Sequence, residues 1–174
     1  MNLNNTSSSG QYGMGYLAGA SDFAQLVTPF GGLALWANAQ ALLRVEFLLE
    51  APPAVVPTGA ILQEAVRQLE AYWHNPHFTF TLPLLSVGTA HQQQVWAAMQ
   101  RIPVGQTRSY GELARELQSS ALAVGTACGR NPYPVIVPCH RILGAKGLGG
   151  FNAQRDGRDW LPIKRWLLAH EGVH

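Results

Sequence analysis

Prolines and glycines cut this chain into pieces too short for any long helix, and their placement gives it two textures. Between Gln25 and Glu50 the pieces are short β-prone runs: Gln25–Val27, Leu33–Ala37 and Leu42–Leu49. Pro29–Gly32 and Asn38–Gln40 supply turn chemistry between them, so the pattern predicts a hairpin or meander. Pro52, Pro53 and Pro57 then stop the strands. Thr58 is the predicted N-cap of a helix reaching about Tyr72, because Ile61, Leu62, Ala65, Val66 and Leu69 recur at helical spacing. Asn75-Pro76 ends that helix, and Phe78–Leu84 reads as one more extended segment.

After Ser86-Val87-Gly88 the texture turns helical. Thr89 caps a helix carrying Val95, Trp96 and Met99, and Pro103 and Gly105 stop it. Ser109 caps a short helix with Leu113, Ala114 and Leu117; a tight break at Gln118–Ser120 leads into a further helix over Ala121–Arg130. This spacing fits a helix-turn-helix, and it also fits an ordinary packed helical pair. Pro132 and Pro134 predict an extended stretch, Val135–Val137, leading into Pro138-Cys139-His140-Arg141. A Gly-rich loop, Gly144–Gly150, follows, and a last helix runs from about Pro162 to Glu171.

Hydrophobic residues make up 47% of the chain and charged residues 13%, which excludes a disordered tail protein and allows a sizeable core. No apolar run reaches the roughly 18 residues that a membrane span needs. Met1 to Gly10 has neither the basic residues nor the apolar segment of a secretory signal. Two cysteines are too few for a disulfide scaffold and fit a reducing compartment, so the chain is expected to be soluble, intracellular and cytoplasmic. Residues 1–22, rich in Gly, Ser and Asn, read as a mobile arm. Charge is unevenly spread: residues 1–87 hold two basic against five acidic residues, residues 88–174 ten against five. A basic half beside an acidic one suits an anionic partner, and ordinary surface variation is the other reading.

A reactive cysteine must ionise, which needs a nearby base or cation and an accessible position. Cys139 sits between a proline and His140, with Arg141 next, so cationic help is close in sequence. On an extended segment neighbours point to opposite sides, so a bridging water is the expected link between His140 and the sulfur. A buried, inert cysteine is the alternative. Cys128, Cys139 and His140 lack zinc-ligand spacing, and His74 and His77 merely flank a proline. The glycines of Gly144–Gly150 lack the strand–loop–helix context of a nucleotide phosphate loop.

Asn131-Pro132 through Pro138-Cys139-His140-Arg141-Ile142 resembles the 6-O-alkylguanine-DNA alkyltransferase family, the methylated-DNA–protein-cysteine methyltransferases, whose signature is the Pro-Cys-His-Arg tetrapeptide. The resemblance extends over Gly88-Thr89, Gln93–Trp96, Ile102–Gly105, Ser109–Ala114, Ala123–Gly125 and Lys164–Gly172, and the Thr28–Gly31 turn also fits. It runs from about Gln25 to Gly172. It implies an α/β ribonuclease-H-like domain over residues 23–86, then a mainly helical domain with a helix-turn-helix over residues 87–174. It further implies that Cys139 takes an alkyl group from the 6-oxygen of guanine, irreversibly and once per molecule. His140 and Glu171 would draw off the thiol proton through a water, Asn131 would brace the turn, and Tyr110 would protonate the leaving purine. Tyr110, Cys128, Ile142, Gly150 and Phe151 would line the guanine and alkyl site; Ser109, Leu122 and Ala123, with Arg108, Arg130 and Lys146 on phosphates, would meet the DNA. The implied partner is double-stranded DNA carrying alkylated guanine, bound in the minor groove with the nucleotide flipped out by a monomer that needs neither metal nor organic cofactor.

The chain departs from the family pattern in several places. Leu122 stands where an arginine usually fills the vacated place in the base stack, and the turn before it is shorter than usual. Leucine can wedge between bases but adds no charge; packing between the two helices is its other expected role. Phe151 replaces the usual tyrosine of the alkyl pocket, and Arg155–Trp160 lengthens the loop after it. Two other functions stay open: a lesion-recognition protein without repair, which Cys139 argues against, and a cysteine hydrolase using Cys139, His140 and Glu171.

Overall fold

The computed structural model describes residues 17–152 and 157–174. Strands β1 (Asp22–Thr28), β2 (Gly31–Ala37) and β3 (Leu42–Leu48) form an antiparallel meander in that order. Gly31 makes the first reversal possible: it sits at φ +138°, and a Cβ there would lie 2.4 Å from the Leu48 carbonyl oxygen. β2 is apolar on both faces. Leu33, Leu35 and Ala37 enter the main core, while Ala34 and Trp36 join Leu43 and Leu48 on the other side. The register slips between Trp36 and Ala37, where Ala37 pairs with Leu42 and Trp36 with Arg44, leaving Leu43 as the extra residue of a bulge. The slip turns Leu42 to the same face as Val45 and Phe47.

The arm expected through residue 22 ends earlier, because Asp22 already opens β1 and pairs with Ala37. Leu17 and Ala20 pack against the second face of the sheet, and residues 1–16 lie outside the described residues. Helix α1 (Ala60–His74) is capped by Gly59, not Thr58. Its cap is supplied from a distance: Asp22 accepts the Gly59 N–H at 2.7 Å, and the Thr58 N–H and hydroxyl at 3.2 and 3.1 Å. One carboxylate thus ties strand to helix and complements the helix N-terminus. Phe78–Leu84 adds no full strand to the sheet. Pro83 has no N–H to give, and only Leu84 bridges Leu42.

Four further helices complete a mixed α/β fold: α2 (Ala90–Gln100), α3 (Tyr110–Glu116), α4 (Ala121–Gly129) and α5 (Leu161–His170). Thr89 with Gln92, and Ser109 with Glu112, form reciprocal capping boxes that fix where α2 and α3 begin. Short strands β4 (Arg108–Ser109) and β5 (Ile142–Leu143) pair in parallel and bring the start of α3 beside the segment after Cys139. Trp96 of α2 donates from Nε1 to the Ala127 carbonyl at 2.9 Å, locking α4 in place. A continuous cluster of buried apolar side chains runs from Leu33 and Leu69 through Met99 and Val124 to Leu167. Phe30 meets Trp166 edge-on at 5.5 Å and Phe47 meets Phe151 at 5.3 Å, which presses α5 and the loop before it onto the sheet. Among the described residues no helix is long and apolar enough to cross a membrane.

Candidate active site

The predicted extended run Val135–Val137 is instead a closed turn. Val135 sits at φ +75°, rare for a β-branched residue. The Val137 N–H closes the turn on the Tyr133 carbonyl at 2.8 Å. Buried Asn131 braces it from inside: its Nδ2 donates to the Val137 carbonyl at 2.8 Å and its Oδ1 accepts the Tyr133 N–H at 2.9 Å. Cys139–Arg141 then form one 3₁₀ turn, so the strand-like alternation expected of Cys139 and His140 does not occur. At three residues per turn the side chains fan apart. Cys139 lines a cavity, while His140 and Arg141 reach Glu171.

Glu171, which caps the end of α5, accepts four hydrogen bonds. His140 Nε2 reaches Oε1 at 2.9 Å, Tyr72 hydroxyl reaches Oε1 at 2.7 Å, and Arg141 grips both oxygens at 2.8 and 2.9 Å. Burial alone would raise the Glu171 carboxyl, but the hydrogen bonds from His140 and Arg141 outweigh it and hold it well below the usual range. His140 is completely buried, and burial keeps it below its ordinary value against the pull of Glu171. A neutral imidazole whose Nε2–H points at a carboxylate carries its lone pair on Nδ1. That Nδ1 is buried without a hydrogen-bond partner among the described residues. Arg141, expected to assist Cys139, spends its guanidinium on Glu171 and on the Ile102 carbonyl at 2.6 Å.

The cavity holds about 750 Å³, and Tyr110, Leu122, Cys128, Cys139, Gly150 and Phe151 are among its walls. Gly149 lets the loop pass close by: at φ +71°, its Cβ would lie 3.1 Å from Tyr110 Cε2 and 2.8 Å from the Gly144 nitrogen. Tyr110 is pushed up to about 12, by burial first and then by the Cys128 and Cys139 sulfurs, so its phenol keeps its proton. The Cys128 thiol, also pushed up to about 12 by burial, donates to Met99 Sδ at 3.5 Å. Phe151 is buried, and Ile142 is fully buried with its carbonyl taken by Lys164 at 2.6 Å.

Lys164 escaped the sequence reading. It is fully buried, and its ammonium also donates to the Leu148 and Gly150 carbonyls at 2.6 and 3.1 Å. Burial draws it down to about 8, with Cys139 and Cys128 pulling the other way. The available signal was its place on the apolar stripe of α5, one turn from Trp160 and Leu168. Tyr72, which the sequence marks only as the approximate end of α1, is the other residue missed, through its hydroxyl on Glu171.

Of the residues expected to meet DNA, Ser109, Leu122 and Arg130 line this cavity, and Ala123, Arg108 and Lys146 are not in its lining. Ser109 caps α3, Ala123 takes its cap from Ser120, and Leu122 is 82% exposed, so it does not pack between the two helices. Arg130 and Lys146 are exposed, and Arg108 forms an ion pair with Glu116, which also takes Arg101 at 2.8 Å.

Residues 90–173 match the family model described as the DNA binding domain of 6-O-methylguanine DNA methyltransferase. A methylated-DNA–protein-cysteine methyltransferase of Methanosarcina acetivorans is 38% identical over 158 residues, covering 86% of this chain and 97% of that protein. A constitutive one of Bacillus subtilis is 47% identical over 115 residues, covering 64% of this chain and 67% of that protein. The fold is similar to that of Mycobacterium tuberculosis OGT solved in complex with DNA, with TM-score 0.69, 37% identity, and coverage of 84% and 90% of the two chains. Sequence identity and shared fold over more than four-fifths of the chain place this protein in the methylated-DNA–protein-cysteine methyltransferase family.

Proposed function

We propose that this protein repairs DNA by moving an alkyl group from the 6-oxygen of guanine to the sulfur of Cys139. The observation that carries the reading is a cysteine in the wall of an open cavity, backed by the buried His140–Glu171 pair. The thiol proton passes through a water to His140 Nδ1, and Glu171 steadies the imidazolium that results. The sulfur then attacks the alkyl carbon, the carbon–oxygen bond breaks, and Tyr110 protonates the purine so that it departs neutral. A thioether resists hydrolysis, so each molecule acts once. Cys128, Gly150 and Phe151 wall the alkyl and base site, and Ile142, whose carbonyl accepts from Lys164, is the further residue proposed to contact the guanine.

The segment through residue 86, with its sheet and α1, is proposed as a ribonuclease-H-like α/β domain and residues 87–174 as the domain that holds DNA. In the second domain α3 and α4 act as a helix-turn-helix, with α4 in the minor groove, and the target nucleotide flips into the cavity. Ser109 and Ala123 line the approach, and Arg130, Lys146 and Arg108 meet phosphates. Intact-protein mass after incubation with a duplex carrying methylated guanine tests the reaction. A gain of one methyl group that stops at one equivalent is expected; continued turnover would mean a hydrolase. A retained duplex with no mass change would mean lesion recognition alone.

Leu122 supplies the wedge that fills the emptied place in the stack. It projects freely beside the cavity mouth but brings no charge. Leu122→Arg is therefore expected to tighten binding to the alkylated duplex several-fold. It should also steepen the salt dependence of log K by about 0.9, the slope of one added phosphate contact. Unchanged affinity and slope in a salt titration would remove Leu122 from the DNA interface.

A further inference from the structure

Glu171 receives a hydrogen bond that comes from neither its own helix nor the cysteine turn. Tyr72 lies in the last turn of α1, 2% exposed, and its hydroxyl donates to Glu171 Oε1 at 2.7 Å across a sequence gap of 99 residues. The ring is fixed by Phe80 at 5.5 Å and by His170 at 5.1 Å, while His170 Nε2 meets the Tyr72 carbonyl at 2.8 Å. A residue meant only to fill the core at this depth would be phenylalanine, since a buried hydroxyl must find a partner. The partner here is the carboxylate oxygen that His140 also uses.

We propose that Tyr72 is a positioning residue of the transfer reaction: it holds Glu171 from the sheet-bearing half of the molecule and limits how strongly that carboxylate draws a proton onto His140. This rests on the reading of Cys139 as the alkyl acceptor. The physical argument is one of shared charge. Each donor on Oε1 takes up part of the carboxylate's negative charge, leaving less to stabilise an imidazolium. The groups that act on His140 are Glu171, Arg141 from its own turn and Lys164 from α5, with Cys139 adjacent; Tyr72, from α1, reaches it only through the Glu171 carboxylate. Arg141 and Lys164 also disfavour the imidazolium, so Tyr72 adds to a set that keeps His140 neutral and ready to accept a proton.

Removing the hydroxyl should strengthen the hold of Glu171 on a protonated His140. Tyr72→Phe keeps the ring and its packing. The test measures two rates against pH on the full chain: methyl uptake from a duplex carrying methylated guanine, and alkylation of Cys139 by iodoacetamide, read at its own peptide by mass. The second needs no DNA, so a wild type that fails to take up methyl sinks the repair reading while iodoacetamide still tests Tyr72. Tyr133→Phe is the control, because it removes another buried hydroxyl, bonded to the Leu85 carbonyl at 2.6 Å and not to Glu171.

The expected result is that the acid limb of the Tyr72→Phe profile moves up by about 0.5–1 pH unit, while that of Tyr133→Phe stays with the wild type. A Tyr72→Phe profile that coincides with the wild type in both assays overturns the proposal, whatever its thermal stability. Should the variant not fold, the wild type decides through the Tyr72 hydroxyl proton in NMR. A resonance that shifts as His140 titrates supports the proposal, and one that does not shift overturns it.

Discussion

Cys139→Ser is expected to take up no methyl group while still retaining the alkylated duplex. The exchange of sulfur for oxygen is nearly isosteric, so the Cys139–Arg141 turn and the cavity wall should persist. The chemistry does not. A serine hydroxyl ionises far above a thiol, and oxygen lacks the polarisability that makes sulfur attack a saturated carbon. The cavity contains a second thiol, which makes the variant informative. Burial, the largest cause, pushes the Cys128 thiol up and remains in the variant, so Cys128 keeps its proton at neutral pH. Its proton is also engaged with Met99. Methyl uptake at the wild-type rate by Cys139→Ser would mean that Cys128 is the acceptor, and peptide mapping would show it.

What could be read in the sequence was whatever neighbouring residues decide. The short apolar run Leu33–Ala37 between two turns marked β2, and Ser109 and Thr89 marked helix starts because a cap bonds within its own first turn. Where a distant residue intervenes, local rules point the wrong way. Thr58 resembles an N-cap, yet Asp22 satisfies that helix end from β1. Val135–Val137 has the composition of a strand, but Asn131 closes it into a turn and forces Val135 into a left-handed conformation that its propensity opposes. In the site, Cys139, His140 and Asn131 stand close together in sequence and resemble the family pattern. Lys164 and Tyr72 do not announce themselves, because a buried lysine and a core tyrosine acquire roles only when the carbonyls of Ile142 and Leu148, or the carboxylate of Glu171, fold against them.

Glu171→Gln should have the largest effect on stability, because Glu171 balances the charge of Arg141 and orders the imidazole of His140 at once. Breaking a buried ion pair from one side leaves the other charge unpaired, at a cost of about 3–5 kcal/mol. Glutamine keeps the shape, but it presents an amide NH₂ to a ring of donors, so at least one of Tyr72, His140 and Arg141 loses its acceptor. The pH dependence has a definite sign. The folded value of Glu171 lies below its ordinary 4.5, so its contribution is fully present above that pH and is lost as pH falls towards the folded value. His140 is also depressed, from 6.5, because it is buried neutral; its protonation in the unfolded chain therefore adds to acid destabilisation below that pH. Melting temperature in the wild type should accordingly fall on acidification, first below about 6.5 and more steeply below about 4.5. In Glu171→Gln the lower, steeper phase should flatten, since the group that drives it is gone. Methyl uptake should slow by roughly 10²-fold, within the range a positioned base supplies. Parallel melting curves for the two proteins between pH 5 and 3 would mean that Glu171 is not held as the charged partner of Arg141 and His140, and the relay drawn through it would fall with that result.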